Sequence, residues 1–159
     1  MLPYLSPGEQ GALWDPALRG TIAGLTLSQG RRHLARGLVN GIVLESRRCL
    51  DVLEDAGQPK ADLLVAGRGA ASAAFRADLA DATGRRVLRP GGHDADFSAR
   101  GAALLAASEV GSTVPDAPWG CSVTEPDPGR AGTWDMAWAE HERVRLAVSQ
   151  RPRTAPAAC

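Results

Sequence analysis

Lysine is nearly absent from this 159-residue chain: Lys60 is the only one, and arginine supplies the other basic side chains. The 18 basic residues are balanced by 18 acidic ones, so the formal net charge is zero. That leaves no basic excess of the kind that marks a nucleic-acid or membrane-surface binder. Cysteine is scarce as well. Cys49, Cys121 and Cys159 are odd in number and widely spaced, which suggests neither a disulfide framework nor a zinc site and fits a reducing cytoplasm. No stretch approaches the roughly 20 apolar residues of a membrane span. Met1 leads into Leu-Pro-Tyr-Leu-Ser-Pro, without the basic and apolar regions of a secretory signal. The expectation is a soluble, cytoplasmic protein with neither nucleic acid nor membrane as a partner.

What the chain does have is enough apolar surface, 44% of residues, for a packed core. Residues 1–20 are rich in turn formers and read as an ordered loop anchored by Tyr4, Leu13 and Trp14. Thr21 to Leu25 can form an extended piece. Leu34, Leu38, Ile42, Leu50 and Leu53 then recur at helical spacing, with Ser28 as N-cap and Gly57 as C-cap. Gly37 and Gly41 inside that helix each cost about 1 kcal/mol relative to alanine. They share a face, so close approach to another backbone is the expected compensation.

A strand is predicted at 62–66, then a loop at 67–71. A helix follows, capped by Ser72 and ended by Gly84. A second strand covers 86–89. A third helix, about 96–110, is built from small residues (Ala99, Gly101, Ala102, Ala103, Ala106) with Leu104 and Leu105, and suits close packing on a sheet. Residues 111–130 read as loop. A last helix, about 131–149, carries Trp134 and Trp138 toward the core, and residues 151–159 form a flexible tail. Helices and strands in this order make an α/β arrangement. Two strands cannot bury three or four helices, so part of the sheet is expected to come from elsewhere.

The loop Gly67-Arg68-Gly69-Ala70-Ala71-Ser72 joins a strand to a helix N-terminus. Glycines let a ligand approach the backbone, and free N–H groups at a helix start favour anions, so phosphate or nucleotide suits it. On spacing alone the plainer reading, a tight strand-to-helix turn, is favoured. It is not a P-loop, because no Gly-Lys-Ser/Thr follows.

An ordered set of segments shifts that balance. Leu2-Pro3-Tyr4-Leu5-Ser6, Gly8-Glu9, Leu13-Trp14-Asp15-Pro16 and Arg19-Gly20 resemble a stretch of the FGGY carbohydrate kinases. Gly20 to Asn40, with His33-Leu34 and Leu38-Val39, resembles that family's second signature, and Gly67 to Ser72 its GGGAxS loop. Phe75-Arg76, Ala80-Asp81 with Gly84, and Ser98 to Leu105 are similar to the segments that follow. Glu125 to Pro128, leading into a terminal helix, resembles xylulokinases within the family. The similarity covers about residues 2–150, a partial C-terminal domain spanning 1–150.

The resemblance implies an actin-like (ribonuclease H-like) α/β fold on a small truncated sheet. It also implies transfer of the ATP γ-phosphoryl, with Mg2+, to a sugar such as xylulose. Gly67, Arg68, Gly69 and Ala70, with Ser72 nearby, would flank the nucleotide. Arg68 interrupts the family's glycine triplet, where it would either crowd the nucleotide or pair with its phosphates. By the same resemblance the sugar-binding domain and the catalytic Asp precede Met1. No catalytic residue and no metal ligand is therefore assigned here. The isolated chain is expected to be inactive, to bind nucleotide weakly, and to self-associate through an exposed sheet edge. The alternatives are a non-catalytic interaction module on the same scaffold, or a family member acting on gluconate, glycerol or ribulose.

Other polar residues have plainer readings. Asp15, Asp78, Asp81 and Asp96 fit caps and surface positions, and His33 a hydrogen-bonding residue at a helix start. His93 and Asp94 fit a surface loop, His141 a solvated helix face, and Arg31, Arg32 and Arg36 exposed charge.

Overall fold

A computed structural model of the chain describes residues 1–6, 11–91, 97–112 and 120–149. In order these form α1 (Arg31–Asp55), β1 (Leu63–Leu64), α2 (Ala73–Thr83), β2 (Val87–Pro90), α3 (Phe97–Glu109), β3 (Cys121–Thr124) and α4 (Ala131–Ser149). Short 3-10 turns at Gly69–Ala71 and Pro128–Arg130 precede α2 and α4. The strands make one mixed sheet in the order β1-β2-β3. β1 and β2 run parallel, with Leu63 opposite Val87, and α2 is the crossover that parallel strands require. Pairing continues past β1, where the Val65 amide donates to the Leu88 carbonyl at 2.9 Å.

β3 lies within the stretch 111–130 expected to be loop. It pairs antiparallel with β2, Val87 opposite Thr124 and Pro90 opposite Cys121. Its four residues, Cys-Ser-Val-Thr, are too few to show a period among the neighbouring prolines and glycines, so β2's free edge decides its conformation. Even with this third strand, β1 remains an edge and Leu64 is 66% exposed.

The core lies where α1, α2 and α4 meet the sheet: Val43, Leu44, Leu79, Ala80, Ala82, Val87 and Trp134 are buried together, with Trp138 and Phe75 packed against them. A second cluster joins Leu2, Tyr4 and Leu18 to Val144 and Val148 of α4. Tyr4 and Leu13 therefore anchor the N-terminal loop as expected, joined by Leu2 and Leu18, whereas Trp14 is 75% exposed. Leu2 and Thr21 form an antiparallel bridge, which makes Thr21 the extended partner of the chain's start.

Helix α1 exists as predicted, but its buried face differs. Gly41, Val43, Leu44 and Arg48 are buried, while Leu34, Ile42 and Leu53 stay exposed. The close backbone expected for the two glycines is present at Gly41 but not at Gly37. A Cβ on Gly41 would overlap the Met1 carbonyl oxygen, and one on Gly37 would lie 3.8 Å from Met1 Cβ. The N-cap is Gly30 rather than Ser28, whose hydroxyl pairs with Thr26 instead. His33 Nδ1 accepts the Gly30 amide at 3.1 Å, the helix-start role foreseen for it. Gly57 takes a φ of 90° just past the helix, and Gly84 a φ of 61° after α2, as stop signals require.

Helix α3 does not lie buried on the sheet: none of its residues is buried, and Leu105 is 72% exposed. Small side chains permit close approach but supply no surface to approach. No helix among the described residues is long and apolar enough to cross a membrane. The expectations for Gly8, Glu9, His93, Asp94, Asp96 and the 151–159 tail lie outside the described residues.

Candidate functional site

The strand–loop–helix unit around Gly67 brings the five candidate residues into one turn. Gly67 adopts a φ of 83°, which turns the chain off β1 at a position where a Cβ would be strained. Arg68 then enters the right-handed region and opens the 3-10 turn Gly69–Ala71. Ser72 follows as the N-cap of α2, its hydroxyl accepting the Phe75 amide at 3.2 Å. Gly69 differs from Gly67: neither its backbone angles nor a neighbour demands glycine. A Cβ on either glycine would meet nothing within 4 Å, so the outer side of the loop is open.

The five residues do not play equal parts. Ala70 is buried and offers the outer side only its backbone. The Ser72 hydroxyl is committed to capping. The Arg68 side chain is exposed, with no hydrogen bond or ion pair among the described residues, and the residue's φ of −63° suits any L residue.

Arg76, three residues into α2, was read only as part of a sequence match. Its Nη1 donates to the carbonyl oxygens of Ala70 at 2.6 Å and Ala71 at 3.0 Å. A lone arginine one turn beyond a cap carries no periodic signal, so its grip on the loop emerges only in three dimensions.

Two buried charge clusters correct the surface readings. Asp78 and Asp81 lie inside, on the side of α2 facing α1 and the start of α4. Arg36 grips Asp78 through both carboxylate oxygens, at 2.5 and 2.8 Å. Arg130 bridges the two, 3.2 Å from Asp78 and 2.7 Å from Asp81. The other Asp81 oxygen accepts the Asp127 amide at 2.7 Å. Asp81 therefore clamps the entry to α4 onto α2, and Arg36, exposed as expected, holds Asp78 from the surface. Asp15 does keep the local role read for it, accepting the Ala17 amide at 2.8 Å.

His141 is likewise buried, not solvated. Its Nε2 donates to Glu45 Oε1 at 2.6 Å, since a carboxylate can only accept. Tyr4 donates to the same oxygen at 2.7 Å, and Arg48 to the other at 3.1 Å. Arg48 also pairs with Glu142, and its guanidinium lies 4.9 Å from the centre of the Trp138 ring. The signal was present in the sequence: 134, 138 and 141 fall on one helix face, but the charged neighbours Glu140, Glu142 and Arg143 masked it.

These contacts set the charges. Burial pushes the Glu142 carboxyl up, but Arg48 and Arg145 outweigh it and hold the group at about 2. Burial likewise opposes ionisation of Glu45, yet hydrogen bonds from His141, Arg48 and Tyr4 keep it below the usual carboxylate range. Among the described residues no group of three or more His, Cys, Asp or Glu could hold a metal ion.

Residues 1–110 match the C-terminal domain of the FGGY family of carbohydrate kinases. The chain is 38% identical over 107 residues to a glycerol kinase of Halothermothrix orenii, covering 65% of this chain and 21% of that protein. Its fold superimposes on a xyloylose kinase of Brucella ovis with a TM-score of 0.78 and 26% identity, covering 93% of this chain and 31% of the other. The xylulose kinase of Rhodospirillum rubrum follows at 0.72 and 26%, with 93% and 30% covered. A Plasmodium falciparum glycerol kinase solved with ADP shares the fold at 0.66 and 21% identity, with 88% and 29% covered. The chain thus spans less than a third of the length of each of these proteins.

Proposed function

Because the chain belongs to the FGGY family of carbohydrate kinases, we propose that it is the nucleotide-binding part of an ATP-dependent sugar or polyol kinase. The observation that carries this reading is the open turn at Gly67–Gly69, set between β1 and the N-terminus of α2. Backbone amides at a helix start favour phosphate, and the absence of side chains at Gly67 and Gly69 lets a nucleotide approach them. Arg68 stands beside that opening as an available cation, and we assign it to the phosphates. Ala70 contributes backbone, and Ser72 holds the turn in shape. Magnesium would arrive on the nucleotide, in keeping with its preference for phosphate oxygens and retained waters. Transfer of the γ-phosphoryl also needs a base that activates the acceptor hydroxyl. Asp78 and Asp81 are committed to Arg36 and Arg130, so we place that base in another part of the enzyme.

Gly69→Val tests the loop. The new side chain enters space that is open in the fold, so the melting temperature should hold while calorimetric binding of magnesium-ATP is lost. Equal binding by both proteins would overturn the site, as would no binding by the wild type at millimolar nucleotide.

For the acceptor we favour a pentulose such as xylulose, supported by the fit to the Brucella ovis structure. Glycerol is the second reading, favoured by the 38% identity to a glycerol kinase. Complementation with the N-terminal portion of each enzyme separates them, because the matching portion should restore ATP turnover on its own substrate. In the same reading, the β1 edge and α3 lead the isolated chain to self-associate.

A further inference from the structure

Arg76 lies behind the loop rather than in its opening. Its Nη1 donates to two successive loop carbonyls, those of Ala70 and Ala71. In a helical turn the carbonyls point toward its end and the amides toward its start. A cation holding the carbonyl end therefore fixes the direction in which the opposite amides face. The residue is itself rooted in α2, its amide donating to the Ser72 carbonyl at 3.1 Å. Its Nε is buried without a hydrogen-bond partner among the described residues, so the side chain is held there at some cost.

We infer that Arg76 is a positioning residue that presents the amides of residues 67–70 to a nucleotide phosphate, those of Ala71 and Ser72 being bonded to the Arg68 and Gly69 carbonyls within the turn. This rests on the nucleotide reading above. Arginine is suited to the task because one permanently charged nitrogen, Nη1, serves both carbonyls, whereas the glutamine amide nitrogen offers its two N–H groups without the charge and on a shorter side chain. Arg76 touches no reacting atom in this role; it acts through the loop.

The test uses the full 159-residue chain, comparing wild type, Arg76→Ala, Arg76→Gln and Gly69→Val. Titration with magnesium-ATP reads affinity, and hydrogen–deuterium exchange without nucleotide reads the loop. Arg76→Ala is expected to raise the Kd roughly tenfold, the loss of charge-assisted hydrogen bonds, and to speed exchange at 67–72 while 77–83 stays protected. If Arg76→Ala binds like wild type while Gly69→Val does not, the inference falls and the nucleotide site stands. If wild type does not bind, or Gly69→Val binds equally well, the site itself fails and the inference with it. Faster exchange along all of α2 would make Arg76 a stabiliser of that helix and overturn its positioning role. Should Arg76→Ala not fold, Arg76→Gln decides: a severalfold weaker Kd with a loosened loop upholds the inference, and no change in either overturns it.

Discussion

The two sides of the sheet's neighbourhood contrast sharply in how they treat charge and apolar surface. Where α1, α2 and α4 meet, even charged groups are inside: Arg48, Asp78, Asp81, Arg85 and His141 are all buried. Along β1, β3 and α3, apolar groups are outside, with Leu64, Leu104, Leu105 and Val123 exposed. The first region pairs its buried charges within the chain, although Asn40 Oδ1, Trp134 Nε1 and His141 Nδ1 stay buried without a hydrogen-bond partner among the described residues. The second has apolar surface that nothing among the described residues covers.

The contrast can be broken most forcefully at Asp81. Asp81→Ala removes the acceptor of both Arg130 and the Asp127 amide, and we expect a loss of about 3 kcal/mol in urea unfolding. A change under 1 kcal/mol would mean that the entry to α4 is held elsewhere. Acid is a gentler probe of the same side. The Glu142 carboxyl is held low in the folded chain, so its contribution is present above the ordinary carboxylate range and lost as pH falls from there through about 2. With solvent screening of a partly exposed pair, we expect about 1 kcal/mol. Glu142→Gln should flatten the pH dependence of the melting temperature between pH 5 and pH 2 (about the range of the shift). Smallest in stability is Leu105→Lys on α3, expected within about 0.5 kcal/mol of wild type because the side chain is already exposed. It should nonetheless lower the association state seen by light scattering. A marked loss of stability would show that α3 is packed after all.

Sequence reading located the elements that announce themselves locally. Ser72 and Gly84 bracket α2 because a hydroxyl acceptor and a left-handed glycine satisfy helix ends wherever the helix lies. Gly41 announced a close backbone, though not that it would be that of Met1, whereas Gly37 has none near it. β3 escaped because four residues between turn formers acquire their conformation from β2's edge. The exposed stripe on α1 misled for a related reason: helical period gives a face, and only the neighbours decide whether that face is covered.

The candidate site divides in the same way. Gly67 with its positive φ, the open Gly69 and the Ser72 cap were legible, because each is a local requirement of a strand-to-helix turn. Arg76 and its two carbonyls were not, and neither were the partners of Asp78, Asp81 and His141. The chain's local chemistry by itself determined its helices, the Ser72 cap, the glycine stops and the strand-to-helix turn at Gly67, since these depend on residues within a few positions of one another. Tertiary structure alone decided which charges are buried and which leucines are not. Burial of Asp81 requires Arg130, 49 positions away, and burial of His141 requires Glu45, 96 positions away. Such long-range pairing leaves no period in the sequence to read.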